Sequence, residues 1–205
     1  MAEKISAREL LDRHGRTYAE EARITLRDKP APLYQLLVLT TLLSVRIKAD
    51  IAVAAARELF GAGWRTPRRM AGATWQQRVD ALGRAHYVRY DESTATSLGE
   101  GAQRVLEDYR GDLRRMRADA DGDVAALRGA LTGFRRIGDT GAHIFCREAQ
   151  AVWPELRPYF DDRALRVAGE VGLPKDPKRL ADLVAPDELA ALSAALVRYG
   201  LDHRS

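Results

Sequence analysis

Apolar residues recur along this chain at helical spacing almost everywhere, and strand-like alternation is rare. Ser6-Ala-Arg-Glu9 is a capping box that opens a first helix. Gly15 is placed to interrupt it, and Tyr18, Ala22 and Leu26 extend an apolar stripe toward Lys29. Pro30 and Pro32 close that segment and start the next. Leu33 to Val45 is apolar on nearly every side, which predicts a central buried helix. Periodicity alone leaves a buried strand open, but the run is long for one. Ile47 to Phe60 is Ala-rich and amphipathic, and Gly61 and Gly63 stop it.

Further on, Thr66-Pro67 reads as an N-cap with proline at the first helical position, and Thr74 caps a helix through Leu82. A long helix is predicted over roughly Glu92 to Tyr109. Arg110 to Asp123 is dense in charge and reads as a flexible connector, a short exposed turn or helix. Short helices follow at Val124 to Leu131, Thr140 to Val152, Asp161 to Val171, Pro177 to Val184 and Pro186 to Tyr199. The expectation is an all-α protein of ten to twelve mostly short helices.

Length and composition narrow the function classes. The chain has 205 residues, enough for one large domain or two small lobes. With 46% apolar residues it can build a core. Its single cysteine, Cys146, excludes a disulfide framework and a four-cysteine iron–sulfur cluster within this sequence. No His and carboxylate set has metal spacing and no Gly-rich nucleotide loop occurs, so no metal and no cofactor is expected. No apolar run is long enough to span a membrane, and no apolar stretch follows Met1–Lys4 as a signal peptide would require. The expected setting is cytoplasmic, with no membrane partner. The net charge is only +4, but arginine supplies 28 of the 33 cations. A GC-rich genome would give that bias, and so would contact with phosphate, which the forked guanidinium suits.

Chemistry concentrates in Leu131 to Val167. The stretch Leu131-Thr-Gly-Phe-Arg-Arg-Ile-Gly-Asp-Thr-Gly-Ala-His-Ile-Phe145 reads as helix, tight turn, helix. Backbone N–H groups at Gly138, Asp139, Thr140 and Gly141 fall at the start of the second helix, where they can meet an anion, and Arg135 and Arg136 add charge. An ordinary helical hairpin whose glycines permit the bend explains the same residues. Asp161 stands at a helix start, where aspartate is a good cap, and Asp162 competes for that place.

This stretch, with Trp153-Pro154 and Asp161-Asp-Arg-Ala-Leu-Arg-Val167 behind it, resembles the helix-hairpin-helix DNA glycosylase superfamily, endonuclease III above all. That family carries Leu-Pro-Gly-Val-Gly-Arg-Lys-Thr-Ala and, after about fifteen residues, Val-Asp-Thr-His-Ile-x-Arg-Val. The apolar helix through Ser44 and Arg46, Tyr90 near a Gly-x-Tyr-x-x-Lys-Ala stretch and Val197-Arg-Tyr-Gly200 match in collinear order over residues 30–200. The resemblance implies a two-lobed fold. A helical bundle would cover about 35–135, and residues 1–34 plus 136–205 would form the second lobe, with a cleft shared between them. It implies a double-stranded DNA partner, damaged or intact, and base-excision chemistry on a flipped base. Asp161 takes the catalytic position, and Arg46, with Lys48 behind it, falls where the family fills the gap left by that base. Tyr159, Tyr90 and His143 are candidates for the base pocket. A DNA-binding module without activity is the alternative.

The chain also departs from the pattern. The family's lyase lysine lands at Thr140, and no lysine lies between Lys48 and Lys175, so strand cleavage through a Schiff base is not expected. The hairpin is degraded. One alignment places Arg136 at the first hairpin glycine and Gly138 at the second, while another uses Gly133 with inserted residues. The family's cluster cysteines would follow Gly200 and do not occur here. Cys146, inside the second hairpin helix, reads as a packing residue.

Overall fold

A computed structural model describes residues 4–203. Of Met1–Lys4, on which the expectation of no signal peptide bears, residues 1–3 lie outside the described residues. Those residues form thirteen α-helices, one 3₁₀ turn and no strand. In chain order the helices are α1 (Ala7–His14), α2 (Tyr18–Glu21), α3 (Pro30–Leu43), α4 (Ala49–Gly61), α5 (Pro67–Gly72), α6 (Trp75–Arg84) and α7 (Asp91–Tyr109). They continue with α8 (Leu113–Asp119), α9 (Val124–Thr132), α10 (Asp139–Ala149), the 3₁₀ turn Pro154–Leu156, α11 (Asp162–Glu170), α12 (Pro177–Ala181) and α13 (Leu189–Asp202). No helix is long and apolar enough to cross a membrane. Two compact units emerge. One is Ala19–Phe145, and the other joins the residues through Tyr18 to those from Cys146 onward.

The larger unit is built around α3. Leu33, Leu36, Leu39 and Leu42 are fully buried, and α3 packs on α4, α7 and α8. Neighbours on several sides explain why no polar stripe runs along it. Each such leucine contributes roughly 1.5–3 kcal/mol by leaving water. A second knot ties α5, α6 and α7 together. Arg78 of α6 is buried, yet the knot gives it no carboxylate. Its guanidinium donates to the carbonyls of Ala73 (2.7 Å), Ala95 (2.9 Å) and Met70 (3.1 Å). Gly99 on α7 is the residue that makes room, since a Cβ there would stand 2.6 Å from an Arg78 Nη.

Two stretches of this unit differ from the sequence reading. Residues after Glu21 do not continue as a helix. Arg23 takes a left-handed conformation (φ 58°), and the Ile24 N–H donates to the Ala19 carbonyl, closing the turn. Ala22 and Ile24 are buried while Arg23 and Thr25 are exposed, so the apolar stripe there has a period of two. The charged segment after Arg110 is also better ordered than a loose connector. Asp112 caps α8 by accepting from the Arg114 N–H at 3.0 Å, Leu113 and Met116 are buried, and Arg117 pairs with Asp28 at 2.9 Å. Two apolar residues three apart suffice to seat one short helix on α3 and α7.

In the smaller unit, α13 packs on α1 and α11. Its core includes Leu10, Ala164, Ala168, Leu180, Leu192 and Leu196. Gly200 lets α13 approach α11, because a Cβ there would lie 2.5 Å from Val167 Cγ2. The last helix begins at Leu189, later than Pro186, because the Ala185 N–H donates to the Glu188 carboxylate at 3.1 Å and forms a turn ahead of the helix.

Candidate functional site

The hairpin lies in the larger unit. α9 ends at Thr132, a turn follows, and α10 starts at Asp139 with the Gly138 carbonyl accepting from the Ala142 N–H at 2.9 Å. Arg136 has φ 71°, a left-handed value that favours glycine. Arg136 is where one hairpin alignment places the family's first glycine; Gly133, used by the other, has φ −68°.

One face of α7 holds the turn. Ser93, Glu100 and Arg104 are spaced seven and four residues apart, so they project from the same side of the helix. The Arg104 guanidinium donates to the Gly133 carbonyl and lies 4.8 Å from the centre of the Phe134 ring. Arg135 pairs with Glu100 at 3.1 Å, both half-exposed, and Arg136 donates to the Ser93 hydroxyl. Both hairpin arginines expected to meet phosphate are thus partnered within the unit.

Asp139 opens α10 and is 72% exposed. It pairs with Arg128 of α9, and His143 Nε2 stands 3.4 Å from its other oxygen. The hydrogen bond from Arg128 is the main influence holding the Asp139 carboxyl below the usual carboxylate range, and the positive end of the helix favours the same charge. A carboxylate therefore stands where the family motif has arginine. Thr140 is exposed beside it. Gly141 is buried, and a Cβ there would lie 2.4 Å from Ser44 Oγ, so α10 seats directly on the end of α3. Arg46 and Lys48 follow two and four residues later, both exposed on the link to α4. The packing brings the hairpin's second helix and this cationic link into one neighbourhood of the unit.

Tyr90 is half-buried between two arginines of different origin. Arg89 and Arg136 have their guanidinium carbons 5.3 and 5.5 Å from its ring centre. It lines a cleft of about 480 Å³ together with Trp75, Arg89, Asp91, Glu92, Ser93, Thr96 and Arg135. The loop leading to it is anchored by Tyr87, whose buried hydroxyl donates to the Leu42 carbonyl at 3.1 Å.

The smaller unit contains Asp161 and Tyr159. Asp161 caps α11, its Oδ1 accepting from the Ala164 N–H at 2.9 Å. Its Oδ2 forms an ion pair with Arg147 of α10, and the two side chains are only 5% and 8% exposed. Asp162, the neighbour that competed for the role, is exposed and lies inside the helix. Tyr159 is buried, and its backbone is clamped by the buried Gln150, whose amide accepts from the Tyr159 N–H and donates to the Tyr159 carbonyl, each at 2.9 Å. Arg157 donates to the carbonyls of Gln150 and Ala151, both at 2.6 Å. Asp161 is thus placed by its own cap, by Arg147 and by a clamped approach two residues upstream.

Arg147, Gln150, Ser93, Glu100 and Arg104 were not singled out from the sequence. Arg147 and Gln150 lie in Ile144–Gln150, a run buried throughout, where polar residues stand at positions that periodicity assigns to the core. Three long polar side chains in that inward-facing run, Arg147, Glu148 and Gln150, are the signal that could have marked them, because burial without partners costs several kcal/mol. Ser93, Glu100 and Arg104 carry no signal of their own, since they sit on an ordinary polar helix face.

No protein-family model and no curated protein sequence matches this chain significantly. A solved structure does. It is described as a trapped endonuclease III–DNA covalent intermediate in an estranged-adenine complex. Similarity covers 96% of this chain and 85% of that one, with a TM-score of 0.52 and 16% identity. With its all-helical element order and the hairpin between α9 and α10, this chain has an endonuclease III-like helix-hairpin-helix fold.

Proposed function

We propose that this chain binds double-stranded DNA and hydrolyses the N-glycosidic bond of a damaged, extruded nucleotide. The observation that carries the reading is a carboxylate, Asp161, fixed at the start of α11 in a chain 96% of which is covered by the likeness to the endonuclease III structure. In such a reaction the C1′–N bond breaks and the sugar becomes cationic. Water adds its oxygen to C1′, and its proton passes to a nearby base or solvent while the freed base is protonated. Asp161 supports the cationic sugar and orients the water. Backbone N–H groups of Gly138, Asp139, Thr140 and Gly141 hold a phosphate, with Arg135 and Arg136 released from their α7 partners to help. Arg46 fills the gap left by the extruded nucleotide, with Lys48 on the adjoining phosphate. Thr140 in place of the family's lysine supports hydrolysis without imine-dependent strand cleavage.

A second reading rests on Arg147. Its guanidinium balances the Asp161 charge, and a carboxylate already neutralised has less to offer a cationic sugar. That favours a DNA-binding module without activity. Incubation with duplexes carrying uracil, hypoxanthine, alkylated or oxidised bases separates the two. The first reading expects free base to be released, strand breaks only after hot alkali, and loss of release in Asp161→Asn. Salt-sensitive binding without release from any substrate identifies the second. No binding to any duplex overturns both.

A further inference from the structure

The cleft beside the hairpin turn has features the reading above does not use. Trp75, the first residue of α6, is 42% exposed in its wall. Its indole N–H is already committed, donating to the Glu92 carbonyl (3.3 Å) and the Thr96 hydroxyl (3.2 Å). Thr96 is itself held, its hydroxyl donating to the Glu92 carbonyl at 3.1 Å. A ring fixed along its polar edge offers a ligand its π-face and little else. The formal charges of the lining balance, with Arg89 and Arg135 against Asp91 and Glu92, and Arg135 also pairs with Glu100 outside the lining. Such a lining gives a chain of phosphates no net attraction. It does suit a flat heteroaromatic ring with both donors and acceptors on its edge, since Asp91 and Glu92 accept, the arginines donate, and Ser93 and Thr96 carry hydroxyls. At about 480 Å³ the cleft has room for one nucleobase and its sugar. Arg135 belongs at once to the cleft and to the hairpin turn, so a strand gripped at the turn would have its next bases within reach.

We propose that the Trp75 cleft is a stacking site for an unpaired nucleobase of DNA, next to the hairpin and separate from the nucleotide on which Asp161 acts. The site rests on the DNA-binding reading above and adds to it a preference for duplex that adjoins single strand. Stacking on an aromatic side chain is sequence-tolerant, because every base has a π-face. Arg89 and Arg136 near the Tyr90 ring stiffen the same wall.

The test measures binding of labelled DNA to the full chain, comparing a blunt duplex with the same duplex extended by a short oligothymidine tail. The tail is expected to raise affinity by about tenfold, at the lower end of what one stacked base contributes. Trp75→Ala should bring the tailed duplex to the blunt value and leave blunt binding unchanged, while Trp75→Phe keeps most of the gain. Tailed DNA should also quench tryptophan emission in wild type and not in Trp75→Phe, which retains Trp64 and Trp153. A tail that adds nothing, or an advantage that survives Trp75→Ala, overturns the site while the DNA-binding reading stands. Equal quenching by thymidine monophosphate at the same concentration would assign the cleft to free nucleotides and overturn the strand as its source. Failure to bind either duplex removes this proposal together with the reading beneath it.

Discussion

The hairpin turn and the loop before α11 hold their charged groups in opposite ways. In the turn, Arg135 and Glu100 are each about half-exposed, and Asp139 faces water beside Arg128. Exposed pairs of this kind contribute about 0–1 kcal/mol and separate easily when a stronger anion arrives. Before α11, Arg147 and Asp161 meet almost out of contact with water, and Gln150 clamps the backbone between them. A buried pair loses several kcal/mol of hydration per ion, so each partner depends on the other. The pairs of the turn are weak enough to exchange partners. The Asp161 region is built to stay as it is.

The largest test of that contrast removes Arg147. Arg147→Met leaves Asp161 buried with one oxygen on the Ala164 N–H and no counter-charge, and should lower unfolding free energy by about 3–5 kcal/mol in a denaturant titration. Adding Asp161→Asn should recover a substantial part of the loss, because no buried charge is then left unpaired. A double variant whose loss equals the sum of the two single-variant losses would mean the pair is not coupled and would erase the contrast. By comparison, Glu100→Gln should shift stability by less than about 1 kcal/mol, although it also touches a charge beside the hairpin.

A smaller effect is expected where the turn meets α3. Gly141→Ala puts a methyl 2.4 Å from Ser44 Oγ, whose hydroxyl already donates to the Thr40 carbonyl at 2.6 Å. Alanine is the better helix former, so an open site would gain stability. Here overpacking should win and cost about 1–3 kcal/mol. Ser44→Gly in the same chain should restore most of it, read as a melting-temperature shift. A stabilised Gly141→Ala single variant would show that α10 does not seat on α3.

These residues also show what was legible in the sequence. Helices with a strong cap or a wide apolar face were readable, because both signals are local. Ser6 and Glu9, Thr66 and Pro67, and Thr74 with Gln77 all cap as their spacing implies. Two stretches misled because the deciding contact is distant. The Ala22–Leu26 stripe has two periodic readings, and only the left-handed Arg23 selects one. Residues after Arg110 look solvated until Leu113 and Met116 find α3 and α7. For the site, the hairpin and the Asp161 cap were readable as local motifs. The partners were not, since Arg147 lies 14 residues from Asp161 and Ser93 lies 43 from Arg136. Spacing along the chain carries no information about such pairs until the helices are packed.

The smallest effect concerns pH and isolates the exposed half of the contrast. The Arg128 hydrogen bond lowers the folded-state Asp139 value below the roughly 3.9 expected of the unfolded chain. A depressed carboxyl contributes stability that is present above the unfolded value and is lost as pH falls through the folded one. Melting temperature between pH 5 and strongly acidic conditions should therefore fall less steeply in Asp139→Asn than in wild type. Arg128→Ala should flatten the same region, because without the guanidinium the folded and unfolded values converge. Since Asp139 stands in water, the difference should shrink as salt is added. The Arg147 pair, shielded from ions by burial, should keep its contribution at the same salt. If salt left the Asp139 effect untouched, the carboxylate at the head of α10 would be held as firmly as Asp161, and the hairpin could not release its own anion to receive a phosphate.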